Sequence, residues 1–350
     1  VGEEGFKSNH LQHGSRAGEA GFVIVGRRRS FMGDESSLNQ AIPVNAAAMV
    51  DGLEYFLHVR RPVRLSPDAP RLIVVANQQN RTASGLLRVC IEAIRQFTPE
   101  PHEVWVVDNN SPVEKLGWLI EQPDVNAIFS RTEPIPPQAR RAQTSPVREN
   151  AQEDRGSYAN AVGLELGIRT IDPASRHIMA LHMDTLPCKG GWLSFLISKL
   201  SGSVAAAGVR LDRTRIPEGV LHVLGFVVDF QLFVRLGLDF FPRPPLLDVG
   251  DRITTEFRSA GYEVFSCRNT MWEPQLSDRL RPDSPLRRLP VDRAFDDDGR
   301  AIFLHLGRGV RKATGKHIKG LSAQDWIRFA DREILGGSWD PEKNRLLNGE

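Results

Sequence analysis

Acids and imidazoles stand at the ends of short apolar runs in this chain, where a folded protein can use them for chemistry. Glu103-Val104-Trp105-Val106-Val107 runs into Asp108 and Asn109, and His177-Ile178-Met179-Ala180-Leu181 runs into His182 and Asp184. Ala301-Ile302-Phe303-Leu304 likewise stops at His305. A continuous apolar run reads as a strand buried on both faces. Polar groups at the carboxyl ends of such strands lie on the rim of a parallel sheet, where open α/β folds bind their ligands. An acid at each of two such ends points to a nucleotide and a metal in one crevice, and so to an enzyme. A second pair, Asp248 and Asp251, flanks Gly250 ahead of Ile253, Phe257 and Ala260.

The elements that must position these residues follow from apolar spacing. Leu72 to Ala76 reads as a buried strand, and Leu86, Leu87, Cys90, Ile91 and Ile94 fall on one helical face. With Val104 to Val107 as the next strand this is a βαβ unit, which requires a parallel sheet and a right-handed crossover. Tyr158 to Thr170 is expected to be helical, with Gly163 and Gly167 permitting close approach. A helix carries Leu193, Leu196, Ile197 and Leu200, and strands are expected at Val204 to Val209 and Val223 to Phe230. The Ile253 series marks another helix. Before Arg71 the chain is expected to hold a partly flexible arm (1–70), with Ala46 to Val59 a helix or lead-in. Arg131 to Arg148 reads as a long loop, and residues 321–350 as a C-terminal tail helix.

Composition bounds the function. A 350-residue chain that is 41% hydrophobic and 25% charged can bury a large core and is ordinary for a globular protein. A net charge of +2 makes no case for nucleic acid. The Gly-rich basic stretch Arg308 to Lys319 reads as a mobile loop that folds over a diphosphate or as a plain solvated surface, and it lacks the interleaved aromatics of a single-strand binder. Three scattered cysteines give neither a disulfide framework nor a zinc cluster, which fits a reducing cytoplasm. No apolar run reaches the roughly 18 residues of a membrane span, and the polar start Val1 to Gly5 is unlike a signal peptide. Arg27-Arg28-Arg29 leaves a peripheral membrane or phosphate contact open, against the commoner reading of a solvated arm.

Six pieces occur in order. They are Leu72 to Asn77 with Leu87 to Ile94; Val106-Val107-Asp108-Asn109-Asn110-Ser111; Gly156 to Gly163; His182-Met183-Asp184-Thr185-Leu186-Pro187 with Gly191-Trp192-Leu193; Leu247-Asp248-Val249-Gly250-Asp251 before Ala260-Gly261-Tyr262; and His305-Leu306-Gly307. Together they resemble the glycosyltransferase family 2-like group, nucleotide-sugar transferases of the GT-A fold. The resemblance implies an α/β fold of GT-A type, with a Rossmann-like, mostly parallel sheet flanked by helices and an acceptor-side subregion. It implies a catalytic domain over 71–320, divided into a nucleotide-sugar half (71–200) and an acceptor half (201–320). It further implies a metal-dependent, inverting transfer from a nucleoside-diphosphate sugar to a hydroxyl on a glycan, a lipid-linked acceptor or a natural product. The chain departs from the family in a longer turn over Asn77 to Ser84, in His182 where an Asp is common, and in lacking an adjacent acid pair before the Ile253 helix.

On this reading Asp184 is the metal ligand and His305 adds an imidazole, which favours Mn²⁺ over Mg²⁺. Asp108 takes the base or ribose, with Asn77, Asn109, Arg155, Asn160, His182 and Arg308 as further nucleotide-sugar contacts. Asp184 also fits a turn residue, Asp108 a strand-end turn, and His182 a structural histidine. The base that takes the acceptor proton is Asp248 or Asp251; Asp251 is the better helix cap, which favours Asp248. A dinucleotide oxidoreductase would need Gly-x-Gly-x-x-Gly after the first strand, and no glycine appears there before Gly85. A non-catalytic GT-A-like binder of nucleotide or glycan stands as the alternative.

Overall fold

The computed structural model describes residues 42–137, 139, 151–211 and 218–347. Its strands are β1 (Ala46–Val50), β2 (Leu53–Arg60), β3 (Arg71–Ala76), β4 (Glu103–Asn109), β5 (Val125–Ser130), β6 (His177–His182), β7 (Thr185–Pro187), β8 (Val204–Arg210), β9 (Leu221–Asp229), β10 (Glu263–Ser266), β11 (Arg268–Asn269), β12 (Asp292–Phe295) and β13 (Ala301–His305). Among the helices are α1 (Arg81–Phe97), α2 (Gly117–Ile120), α3 (Ala151–Thr170), α4 (Trp192–Ser198), α5 (Phe230–Arg235), α6 (Asp251–Ser259), α7 (Gly309–Ala313) and α8 (Ala323–Phe329).

Nine strands form one sheet in the order β1-β2-β5-β4-β3-β6-β9-β8-β10. Only β2 and β9 run against the others, so the sheet is mixed but mostly parallel, flanked by helices, as expected for an α/β chain. The chain steps outward from β3 to β4 to β5, and α3 then carries it back to β6 on the other side of β3. The carboxyl ends of β3 and β6 therefore flank a topological switch point, the place where such sheets leave a crevice.

Local chemistry explains the fit. Asn80 caps α1 by accepting the Ala83 N–H. The expected close approach of α3 is real: a Cβ on Gly163 would lie 2.5 Å from Val75, and one on Gly167 would lie 2.8 Å from Ile73. Glycine at both positions is what lets α3 lie against β3.

A second sheet, β11-β12-β13-β7, is antiparallel throughout and overlies the same carboxyl ends. Gly225 on β9 makes room for it, since a Cβ there would meet the Phe303 ring at 2.8 Å. Thr185 Oγ1 donates to the Leu224 carbonyl at 3.0 Å and ties β7 to β9.

Two expectations are corrected. Ala46 to Val59 is not a helix but the β1–β2 hairpin on the sheet edge. Asp51 and Gly52 turn it with φ of 48° and 71°, the left-handed pair that an Asp-Gly hairpin turn uses. Tyr55 and Leu57 then point inward while Glu54 and Phe56 are exposed, a two-residue period. The tail is helical only through α8 and a π-turn over Ala330–Ile334. Further on, Arg345 and Leu346 bridge to Arg300 and Leu280 instead. Phe22 to Val25, Arg27 to Arg29 and most of the 131–148 stretch lie outside the described residues. No helix among the described residues is long and apolar enough to cross a membrane.

At the amino ends of β3 and β4, Arg71 and Glu103 pair at 3.3 Å with both side chains fully buried. Glu103 also accepts from the Leu65 N–H, Trp105 Nε1 and Asn126 Nδ2. Removing one partner leaves an uncompensated buried charge. Glu103→Ala is expected to lower the unfolding free energy by about 3–5 kcal/mol in guanidinium titrations; a loss below about 1 kcal/mol would show that water reaches Arg71.

Candidate metal centre and active site

Three side chains converge at the switch point. His182 ends β6, Asp184 lies two residues on, and His305 ends β13, with donor atoms all within 4.8 Å of one another. His305 comes from far along the chain because β13 pairs with β7, setting His305 opposite Thr185. The Leu306 N–H donates to the Asp184 carbonyl at 3.1 Å and locks that register.

Each imidazole of the trio has a partner on the nitrogen turned away from Asp184. His305 Nε2 faces Asp184 Oδ1 at 3.5 Å, while Nδ1 faces Asp292 Oδ2 at 3.2 Å. His182 Nδ1 lies 3.9 Å from Asp184 Oδ1, while Nε2 meets the Asn160 side-chain amide at 3.2 Å. An outer hydrogen bond on the far nitrogen is how proteins orient a ligating imidazole. For His182 to ligate through Nδ1 its proton must sit on Nε2, which Asn160 accepts once its amide presents the oxygen. Asp184 is aimed as well: its Oδ2 accepts the Gly309 N–H at 2.8 Å at the start of α7.

Electrostatics match a cation site. Burial pushes the Asp184 pKa up, but His305, His182 and the Gly309 N–H outweigh it and hold the carboxyl well below the usual carboxylate range. Burial, helped by His305 and opposed by Asp184 and Asp248, drives His182 down to about 4. Burial also pulls on His305, yet Asp184 and Asp292 overcome it and push the ring up to about 10. Without a metal, the carboxylate is thus neutralised by a protonated His305. His305 Nε2 is buried beside the Asp184 carboxylate with no close, well-aligned hydrogen bond among the described residues, which leaves it as a donor atom for an ion held with Asp184 and His182. Two imidazoles and one carboxylate fit a transition ion such as Mn²⁺ better than Mg²⁺.

The other expected site residues divide into groups. Asn77 Nδ2 donates to the Asn109 carbonyl, and Asn109 Nδ2 donates to the Ala159 carbonyl, joining the ends of β3 and β4 to the middle of α3. Asp108 is fully buried; burial raises its pKa, and hydrogen bonds from Ser111 and Gln78 oppose that. Its carboxylate holds the Asp108–Ser111 turn through the Ser111 N–H and hydroxyl. Arg155 is exposed on α3. Asp248 is half-buried and its charge reaches His182. Asp251 is buried and accepts the Asp248 N–H at 2.8 Å. The cap of α6 is Gly250, at φ 78°, so Asp251 is the first helical residue and braces the Asp248 loop rather than capping the helix. Arg308 stands at the entry to α7.

Three participants escaped the sequence reading. Asp292 orients His305 but opens β12 after a Pro-rich stretch, with no apolar run before it. His222, on β9, lies with its ring 5.3 Å from that of His182. Gly309 matters for the space it leaves: a Cβ there would sit 2.7 Å from Asp184. A glycine directly after the His305-Leu306-Gly307-Arg308 segment was the available signal.

No protein-family model matches the chain, and no curated protein does. Among solved structures it is similar to a mannosyltransferase from Pyrobaculum calidifontis in complex with GDP-Man and Mn²⁺, at 15% identity over 80% of this chain and 74% of that one, TM-score 0.40. It is also similar to the Drosophila β1,4-galactosyltransferase 7 catalytic domain, at 13% identity over 57% and 64%, TM-score 0.31. A 4-diphosphocytidyl-2C-methyl-D-erythritol synthase from Anaerococcus prevotii aligns at 12% identity over 57% and 89%, TM-score 0.37. Scores of this size do not fix a common function, which has to come from the site.

Two outcomes test the centre. Gly309→Ala, at a backbone position any residue can adopt, is expected to displace Asp184 and weaken Mn²⁺ binding by about tenfold or more, while Arg308 variants leave it unchanged. Since His182 and Asp184 are already unprotonated at neutral pH, metal binding displaces one proton, that of His305. Mn²⁺ affinity should rise by about tenfold per pH unit between pH 6 and 8. A flat calorimetric titration across that range would remove His305 from the ligand set.

Proposed function

We propose that this chain is a metal-dependent glycosyltransferase that moves a sugar from a nucleoside-diphosphate sugar to an acceptor hydroxyl. The observation that carries the reading is the His182–Asp184–His305 trio at the switch point between β3 and β6, where such sheets bind nucleotides. A divalent ion there supplies positive charge where the leaving diphosphate becomes more negative. Asp184, His182 and His305 would hold it, with Asp292, Asn160 and the Gly309 N–H fixing their orientation.

The chain's own groups account for the remaining roles. Asn77, Asn109 and Asn160 border the crevice and offer amides to ribose or base. Asp108 acts on that rim indirectly, by holding the turn after β4, and Arg155 and Arg308 are cationic groups for phosphate. On the other side of the trio, Asp248 is the carboxylate for the acceptor proton, because Asp251 is buried and already accepts the Asp248 N–H. An inverting outcome follows if Asp248 takes that proton as the acceptor oxygen attacks opposite the leaving diphosphate. Acceptors in this reading are glycans, lipid-linked sugars or natural products, met in the cytoplasm or at a membrane surface.

Thermal unfolding with a panel of nucleoside diphosphates, with and without Mn²⁺, tests the reading. A stabilising shift for one nucleoside diphosphate, present only with metal, is expected, since a ligand specific to the native state raises stability by mass action. Asp184→Ala should abolish that shift while the protein stays folded. Asp248→Asn should keep it and lose transfer by about 100-fold or more. No shift with any nucleotide would leave the non-catalytic binder as the better reading.

A further inference from the structure

Beyond His305 and Asp292 the surface is hollowed into a groove of about 530 Å³ between the 285–291 segment and the turn from β13 into α7. Its walls carry Arg287, Arg288, Arg308, Lys312 and His317, with Asp292 as the acid among them. Asp292 is engaged by His305 at 3.2 Å, so the groove keeps a large excess of positive charge. Nothing from 77–111 or 155–160, the segments that border the switch-point crevice, is among its lining residues. Leu306, Gly307 and Arg308 line it directly after His305, so Arg308 is the cation it shares with the proposed donor side, while Arg287 and Arg288 belong to the groove alone.

The groove is built rather than incidental. Arg293 is buried at its floor and donates to Ser277 Oγ and to the Leu286 and Leu289 carbonyls. Those bonds fix the turn that presents Arg287 and Arg288, both exposed. Arg308 is held at φ 57°, a left-handed conformation uncommon for a residue with a Cβ. Strain of this kind persists mostly where function requires it. His317 stands on the same wall as Arg308 and Lys312. Convergent guanidinium and ammonium groups match the geometry and charge of phosphate.

Building on the glycosyltransferase reading, we propose that this groove binds a phosphate-ester group carried by the acceptor, apart from the donor diphosphate at the metal. The acceptor hydroxyl would then reach the trio from the Asp292 side with its phosphate already anchored. Such an acceptor would be supplied by a phosphorylating or phosphate-retaining step upstream.

The test titrates phenyl phosphate into the full 350-residue chain holding Mn²⁺ and its preferred nucleoside diphosphate, and separately into the chain with Mn²⁺ alone. Binding is expected in both settings. The double variant Arg287→Ala/Arg288→Ala should weaken it by about tenfold or more while changing nucleoside diphosphate affinity by less than about twofold. Arg288→Ala alone repeats the measurement should the double variant unfold. Equal loss of both ligands would assign the groove to the donor, and phenyl phosphate binding that is absent or indifferent to the variants would make it a solvated surface; either overturns the proposal. The Mn²⁺-only arm reads the groove even if no nucleoside diphosphate binds, which separates its failure from that of the transferase reading. Where phenyl phosphate binds, displacement by phosphatidic acid vesicles would mark a lipid-borne ester, and no displacement a soluble one.

Discussion

The antiparallel pairing of β13 with β7 sets His305 opposite Thr185, and the rest of the site depends on that register. β7 begins directly after Asp184, so a strand contributed from more than a hundred residues later is delivered against the end of β6. A slip of one residue would turn His305 to the opposite face of its strand. Several contacts prevent it: the Leu306 N–H on the Asp184 carbonyl, Thr185 Oγ1 on Leu224, and Phe303 seated over Gly225. The candidate metal centre is therefore a seam between two sheets. Its rigidity derives from both.

Charge is arranged around that seam with little waste. A buried carboxylate is costly unless it is paired and hydrogen-bonded. Asp184 meets this condition through a protonated His305 and the Gly309 N–H, while His182 is kept neutral by burial. Asp292 and Asn160 hold the far nitrogens of the two imidazoles, so the trio is oriented as a cation site would require. On either side the surroundings differ. The β3–β4–α3 rim offers neutral amides, whereas the 285–317 side offers guanidinium and ammonium groups. Under the proposed transfer, such asymmetry would suit two substrates that meet at one ion.

Glycine sets the distances throughout. Gly163 and Gly167 let α3 approach β3, Gly225 admits Phe303, and Gly309 leaves room for the Asp184 carboxylate. In each case the missing Cβ serves a contact between segments remote in sequence. A glycine of this kind looks like any other in the sequence unless its partner is known.

Much of the frame was written in local pattern. The apolar runs at Leu72, Val104, Ile178, Val204 and Ala301 are strands, because burial on both faces demands a continuous apolar stretch. Asp184 and His305 were identifiable as strand-end groups for the same reason. The β1–β2 hairpin was misread because its two-residue period is masked by alanines, although Asp51-Gly52 announced its turn. Other decisions belonged to the tertiary structure alone. It brought His182 and His305 onto one carboxylate, made Asp251 a brace for Asp248, and recruited Asp292 and the basic groove. Local sequence determines which segments are strands and helices, since side-chain periodicity acts over a few residues. Which strand ends meet is set by long-range pairing and by the space glycines leave, and no window of sequence contains both partners.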